Sequence, residues 1–204
     1  WLKGTFINCT IAGNDKGLWN FSGTLTNCIV WGNTSNTTNN PTVTYTAMPG
    51  VIDGEGNIDL SLTNDDSDGP QFVDPAKGDY HLSANSTLLI DAGLNIANKS
   101  VTDIEDKQRV IGSAIDLGAY ERGIDITLTV LGSDSKAVTD AIVSYNGNSY
   151  KTNSDGVAII NVVPGDVSLT VTSVNYTDTI KATLTVAASL SKTVSFTTLR
   201  QDVY

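Results

Sequence analysis

Long apolar runs are missing from this 204-residue chain, and so are most of the residue types on which catalytic and metal chemistry rests. No stretch approaches the roughly 18 consecutive apolar residues that a membrane-spanning helix needs. A single histidine, His81, leaves a zinc site or a serine triad without its other members. The glutamates are Glu55, Glu105 and Glu121, and no pair of them is assigned as a glycosidase couple. Basic residues are scarce, 12 Lys and Arg against 22 Asp and Glu, for a net charge of −10. A surface of that sign repels phosphate backbones and anionic lipid, so neither nucleic acid nor a membrane surface is an expected partner. A secretory leader is also lacking: the chain opens on Trp1-Leu2-Lys3-Gly4-Thr5-Phe6, which has a strand-like texture. That opening reads as the middle of a structural repeat. The expected neighbours are then N-terminal coils of a longer chain, or a capping partner that covers a bare core end.

What is there is repetition, followed by alternation. Asn8-Cys9-Thr10-Ile11-Ala12-Gly13-Asn14 and Asn27-Cys28-Ile29-Val30-Trp31-Gly32-Asn33 align at an offset of 19 residues. A period near 20 residues, built from short β-rich segments and Gly/Asn turns, is the pattern of a β-solenoid coil. Cys9, Cys28, Ile11 and Val30 share one parity and are expected to face the core. Val43-Thr44-Tyr45-Thr46-Ala47 reads as a third, degenerate rung. The two cysteines, stacked on adjacent coils, are expected as buried free thiols rather than a disulfide, because parallel side-chain vectors suit packing better than bridging. Trp1, Trp19, Trp31 and Tyr45 lie in the repeat region. Such aromatics either pack at coil edges or stack against the apolar faces of sugars.

Asn64-Asp65-Asp66-Ser67-Asp68-Gly69 places oxygen side chains at Asn64, Asp66 and Asp68, with glycine next. This is the first half of a calcium loop, in which alternating oxygens converge on a hard cation. The twelfth position is Pro75 where the bidentate glutamate would stand, and Asp74 falls one residue early. Calcium is the one cofactor the sequence raises. A solvated acidic turn is the preferred reading of this incomplete match.

The string Phe72-Val73-Asp74-Pro75, Gly78-Asp79-Tyr80-His81-Leu82, Ile90-Asp91-Ala92-Gly93 and Asp116-Leu117-Gly118-Ala119-Tyr120-Glu121 resembles the closing segment of secreted bacterial right-handed parallel β-helix proteins of the choice-of-anchor type. The resemblance implies that this segment adds the last irregular rungs and covers the open end of the core. It also implies an extracellular or outer-surface location in a Bacteroidetes-like bacterium.

Composition changes near 121–125. Ile126/Leu128/Val130, Ala158/Ile160/Val162, Val167/Leu169/Val171 and Ile180/Ala182/Leu184/Val186 alternate with period two. Asn146-Gly147 fits a type I′ hairpin turn. About seven short strands fit a β-sandwich, and the turn-rich pattern resembles carboxypeptidase-regulatory-like and related Ig-like modules. The expected architecture is therefore all-β: parallel β-helix coils and cap over 1–123, then an Ig-like β-sandwich over 124–204. The expected role is a non-catalytic surface or secreted module for adhesion or glycan binding, with glycans or host and cell-surface proteins as partners. The alternatives are a fragment of a β-helix polysaccharide lyase or glycosidase, or a plain structural spacer.

Overall fold

The computed structural model describes residues 3–50, 53–60 and 69–200, and the chain is all-β. It divides into two compact units, Trp1–Arg122 and Gly123–Tyr204.

In the first unit, β1 (Thr5–Ile7), β3 (Thr24–Thr26) and β5 (Thr42–Thr44) form one parallel sheet. A second parallel sheet runs β2 (Thr10–Ala12), β4 (Ile29–Trp31), β6 (Ala47–Met48) and β7 (Ile58–Asp59). Thr5 pairs with Thr24 and Thr10 with Ile29, which is the 19-residue offset read from the repeat. The next winding pairs Thr24 with Thr42 and Ile29 with Ala47, an offset of 18. Each winding turns its corner on one residue with left-handed backbone, Asn8 (φ 55), Asn27 (φ 54) and then Tyr45 (φ 46). Asparagine tolerates that conformation well and tyrosine poorly, which is why the third rung looks degenerate in sequence while keeping the geometry.

Inside the windings, Leu18, Phe21, Leu25, Cys28, Val30, Val43 and Met48 form one buried cluster, with Phe6, Cys9 and Ile11 packed against it. Thr46 follows Cys28 in the same column. Its hydroxyl accepts from the Cys28 N–H (3.3 Å) and donates to the Thr44 carbonyl (3.0 Å), so a polar side chain sits in the core without an orphaned group.

A third layer follows. β8 (Phe72–Asp74) and β9 (Asp79–Leu82) form an antiparallel pair joined by a 3-10 turn at Pro75–Lys77. Leu82, Leu89 and Leu117 then pack with Ile29, Ala47 and Leu60 in a second buried cluster. Ile29 alternates with Val30 along β4, so this cluster lies on the face of the sheet opposite the first core. The closing segment thus runs along the flank of the windings, where the sequence led us to expect end rungs over an open core. It is tied back to the first two windings. Asn27 Oδ1 accepts from Leu94 N (2.7 Å) and Asn27 Nδ2 donates to Leu94 O (3.1 Å). Gly118 N donates to Asn27 O (2.9 Å), and Ala119 N to Thr10 Oγ1 (3.0 Å). Glycine is required at 118: φ is +90°, and a Cβ there would come within 2.6 Å of Thr10 Oγ1 and 2.7 Å of Ile29 Cδ1.

The second unit contains β10 (Ile124–Leu131), β11 (Ile142–Tyr145), β12 (Asn148–Lys151), β13 (Val157–Val162), β14 (Gly165–Thr172), β15 (Ile180–Val186) and β16 (Leu190–Ser195). They form two sheets, ordered β13-β10-β16 and β12-β11-β14-β15, antiparallel except for the parallel pair β10–β16. The stripes of β10, β13 and β14 join Val186 and Phe196 in a single buried cluster drawn from both sheets. Ile180, Ala182 and Leu184 are only partly buried, because β15 is an edge strand. The β11–β12 turn has positive φ at both Asn146 (46°) and Gly147 (80°), as a type I′ turn requires.

Candidate functional site

Trp31 ends β4 on the face that carries Ile29, so its indole lies on the flank that the closing segment covers. It packs on the backbone of Gly69, where a Cβ would come within 2.6 Å of the ring. Phe72 follows one turn later, braced edge-on by Tyr80 with ring centroids 5.3 Å apart. Between them Gln71 adopts a left-handed backbone (φ 54). The strap is pinned by Ser86, whose hydroxyl lies 2.7 Å from the Pro70 carbonyl and 2.9 Å from that of Gln71. The result is a concavity of about 350 Å³ lined by Trp31, Gly69, Pro70, Gln71, Phe72 and Pro75. A second hollow of about 300 Å³ shares Gly69 and Gln71 and continues past Asn85, Ser86 and Leu88. One wall is therefore aromatic and the adjoining stretch is polar. Such a groove can pack the apolar face of a sugar ring and hydrogen-bond its hydroxyls.

The other aromatics of the repeat region are placed differently. Trp19 is about half exposed and carries the Lys16 ammonium over its ring at 4.1 Å. Tyr45 donates its hydroxyl to Glu55 Oε1 (2.9 Å) and covers Gly56. Trp1 lies outside the described residues, as do Asn64, Asp66 and Asp68 of the calcium pattern. Sequence reasoning weighed Trp31 but missed Pro70, Gln71 and Phe72 as its partners. They had been read only as part of a closing motif.

The ionisable residues of the closing segment are engaged with backbone. Asp116 accepts from the N–H groups of Asp91 and Arg122, each at 2.7 Å. Glu121 accepts from Ile111 (3.2 Å) and Asp116 (3.0 Å), with Arg109 Nη1 at 3.6 Å. Asp103 accepts from Glu105, Lys107 and Glu121. Arg109 Nη2 donates to the carbonyls of Asp116 (3.1 Å) and Gly118 (2.6 Å). Burial, with Asp116 beside it, pushes Glu121 up to about 8, against the bonds from backbone and Arg109. Burial likewise raises Asp116 to about 6.

His81 bridges two carboxylates, with Nδ1 2.6 Å from Asp79 and Nε2 3.1 Å from Glu105, its ring 4.1 Å from that of Tyr120. Partial burial lowers its pKa, yet the bonds to Asp79 and Glu105 outweigh that and hold it above the ordinary histidine value. The arrangement clamps β9 to the turn at 103–107.

Cys9 and Cys28 are free, Cys28 buried and Cys9 half-buried. They occupy successive positions of one inward column, as the repeat alignment predicts.

No protein family profile matches the sequence, and no curated protein matches it. Among solved structures, similarity is found to the Bacillus anthracis TIE protein, at 14% identity and TM-score 0.31, over 37% of this chain and 16% of that one. A second is the C-terminal domain of the Caf1A usher, at 14% identity and TM-score 0.29, over 36% of this chain and 98% of that domain.

Proposed function

We propose that the chain is the closing part of a right-handed parallel β-helix followed by an Ig-like β-sandwich, and that it serves as a non-catalytic, secreted or cell-surface module that binds glycans. The two parallel sheets stacked at offsets of 19 and 18 residues support the first fold reading. The two sheets of 124–195 around one shared core support the second. The observation that carries the functional reading is the groove that sets Trp31 and Phe72 beside Gln71 and Asn85. The acid and base residues of the closing segment favour a role without turnover, since they hold loop backbone in place.

Screening the full chain against a glycan array, followed by calorimetry on any ligand found, tests this. Trp31→Ala is expected to abolish binding while the melt stays cooperative, and Trp19→Ala to leave binding unchanged. Binding that survives Trp31→Ala removes the groove as the site. Release of reducing ends or of unsaturated sugar from any bound polysaccharide would establish the β-helix enzyme reading. An array without ligands would leave the spacer reading in its place.

A further inference from the structure

A separate cavity of about 400 Å³ opens between the first winding and the closing segment. Asn8, Cys9 and Thr10 line it from one side, and Thr102, Asp103 and Arg109 from the other. Two independent features set it apart from an incidental crevice.

The first is the pair of thiols. Ile29 N donates to Cys9 O at 2.9 Å, which places Cys28 beside Cys9 on the neighbouring winding. The two sulfurs share a hydrogen bond. Only Cys9 reaches the cavity, because Cys28 is enclosed in the core. The bond from Cys28 lowers the Cys9 pKa to about 6, against the effect of burial and with help from the charge of Arg109. That same bond, with burial, pushes Cys28 upward, so the proton of the pair rests on Cys28.

The second is Arg109, which is 1% exposed and yet keeps Nε and Nη1 without hydrogen-bond partners. A buried donor left unpaired is costly, and an anion entering the cavity would relieve that cost. Asp103, the other charged residue lining the cavity, has both carboxylate oxygens committed to backbone N–H groups. Asp116 and Glu121 also act on Arg109, and both are themselves raised by burial.

We propose that Cys9 is a nucleophilic thiol that exchanges with small anionic disulfides in this cavity, with Arg109 attracting the anionic group and Cys28 acting as the resolving thiol. In the first step the Cys9 sulfur attacks one sulfur of the small disulfide. The reagent's S–S bond breaks, one thiolate leaves, and a mixed disulfide forms on Cys9. In the second, Cys28 gives its proton to solvent and attacks the Cys9 sulfur, releasing the second thiolate and closing a Cys9–Cys28 bond. Two protein thiols are oxidised and one disulfide is reduced to two thiols, so no other oxidant is needed. Neighbouring strands stand about 4.8 Å apart, within the Cα range that a disulfide spans.

Ellman's reagent, an anionic aromatic disulfide, tests this on the full chain. The native protein is expected to release two equivalents of thiolate and to lose two hydrogens in intact mass. Cys28→Ala should stop at one equivalent with a stable adduct on Cys9, and Cys9→Ser should lose the fast release. A thiol of pKa about 6 in place of 8.5 gains more in thiolate fraction than it loses in nucleophilicity. The rate at pH 6 should therefore exceed that of the urea-unfolded chain by about tenfold. Fast release persisting in Cys9→Ser, or a native rate at or below the unfolded one, overturns the proposal. So does a native pH profile centred on the ordinary thiol value. The role of Arg109 is read by comparing dithiodipropionate with neutral hydroxyethyl disulfide, each normalised to the unfolded chain. Equal ratios would remove the arginine from it.

Discussion

The two units are both built of β-strands, but different chemistry holds them. In the second unit strands of four to eight residues alternate apolar and polar side chains, and their inward stripes meet in one continuous core. In the first unit most strands are two or three residues long, too short for alternation to bury much. Apolar packing there is divided between two clusters on opposite faces of one sheet. Asparagines at the corners and carboxylates in the closing segment supply the remaining order by bonding to backbone. A β-fold can thus be specified by the side chains that fill it or by those that tie its loops.

The sharpest way to separate the two modes is to remove a tie. Glu121→Ala strips the acceptor from two buried N–H groups and the nearest oxygen from Arg109. At about 1–3 kcal/mol per orphaned donor, the first unit should lose roughly 3–5 kcal/mol. Chemical denaturation followed by residue-resolved hydrogen exchange would show it, and the second unit should keep its protection. Equal loss in both would break the comparison. Leu128→Ala makes the reciprocal cut, emptying a fully buried position of the second core. It should cost about 2–5 kcal/mol there, as large-to-small core changes do, and leave protection in 3–50 untouched.

Asn27→Ala should cost the first unit about 1–3 kcal/mol, through loss of the paired bonds to Leu94. Its signature would be faster exchange at Leu94 and Gly118, ahead of any change at Leu25.

The smallest expected effect is in pH. Folding raises Glu121 and Asp116 to about 8 and about 6, so between the unfolded carboxyl value and those values the folded state binds more protons. Stability from them is complete below about pH 4 and declines as pH rises toward 8. His81, also raised, acts in the same sense: its contribution is complete below about 6.5 and is lost as pH rises through its folded value. In the second unit the shifted carboxylates, Asp134 and Asp178, are lowered and matter only in acid. Melting of the first unit should therefore decline from pH 5 to 9 while that of the second stays level. A level first unit would show that the buried carboxylates are ionised throughout.

Much of this was legible in the sequence where neighbours along the chain decide the outcome. The offset between Cys9 and Cys28, the inward parity of Ile11 and Val30, and the Asn146-Gly147 turn all follow from local chemistry. Tyr45 hid the third corner because the residue type changed while its φ did not. The flank packing was not legible. It depends on partners 67 residues apart at Asn27 and Leu94, and 90 apart at Asn8 and Asn98. The groove at Trp31 stayed hidden for the same reason, since its second wall arrives with that segment.

The bond from Ala119 back to Thr10 closes a loop of 109 residues. Closing a loop of that length costs entropy before any contact repays it, and parallel pairing between distant segments is intrinsically slow. During refolding the windings therefore assemble first and the flank strap docks last. Until it does, Ile29, Ala47 and the Trp31 face remain open to water, and the order of assembly makes that sheet face the most aggregation-exposed surface on the folding route.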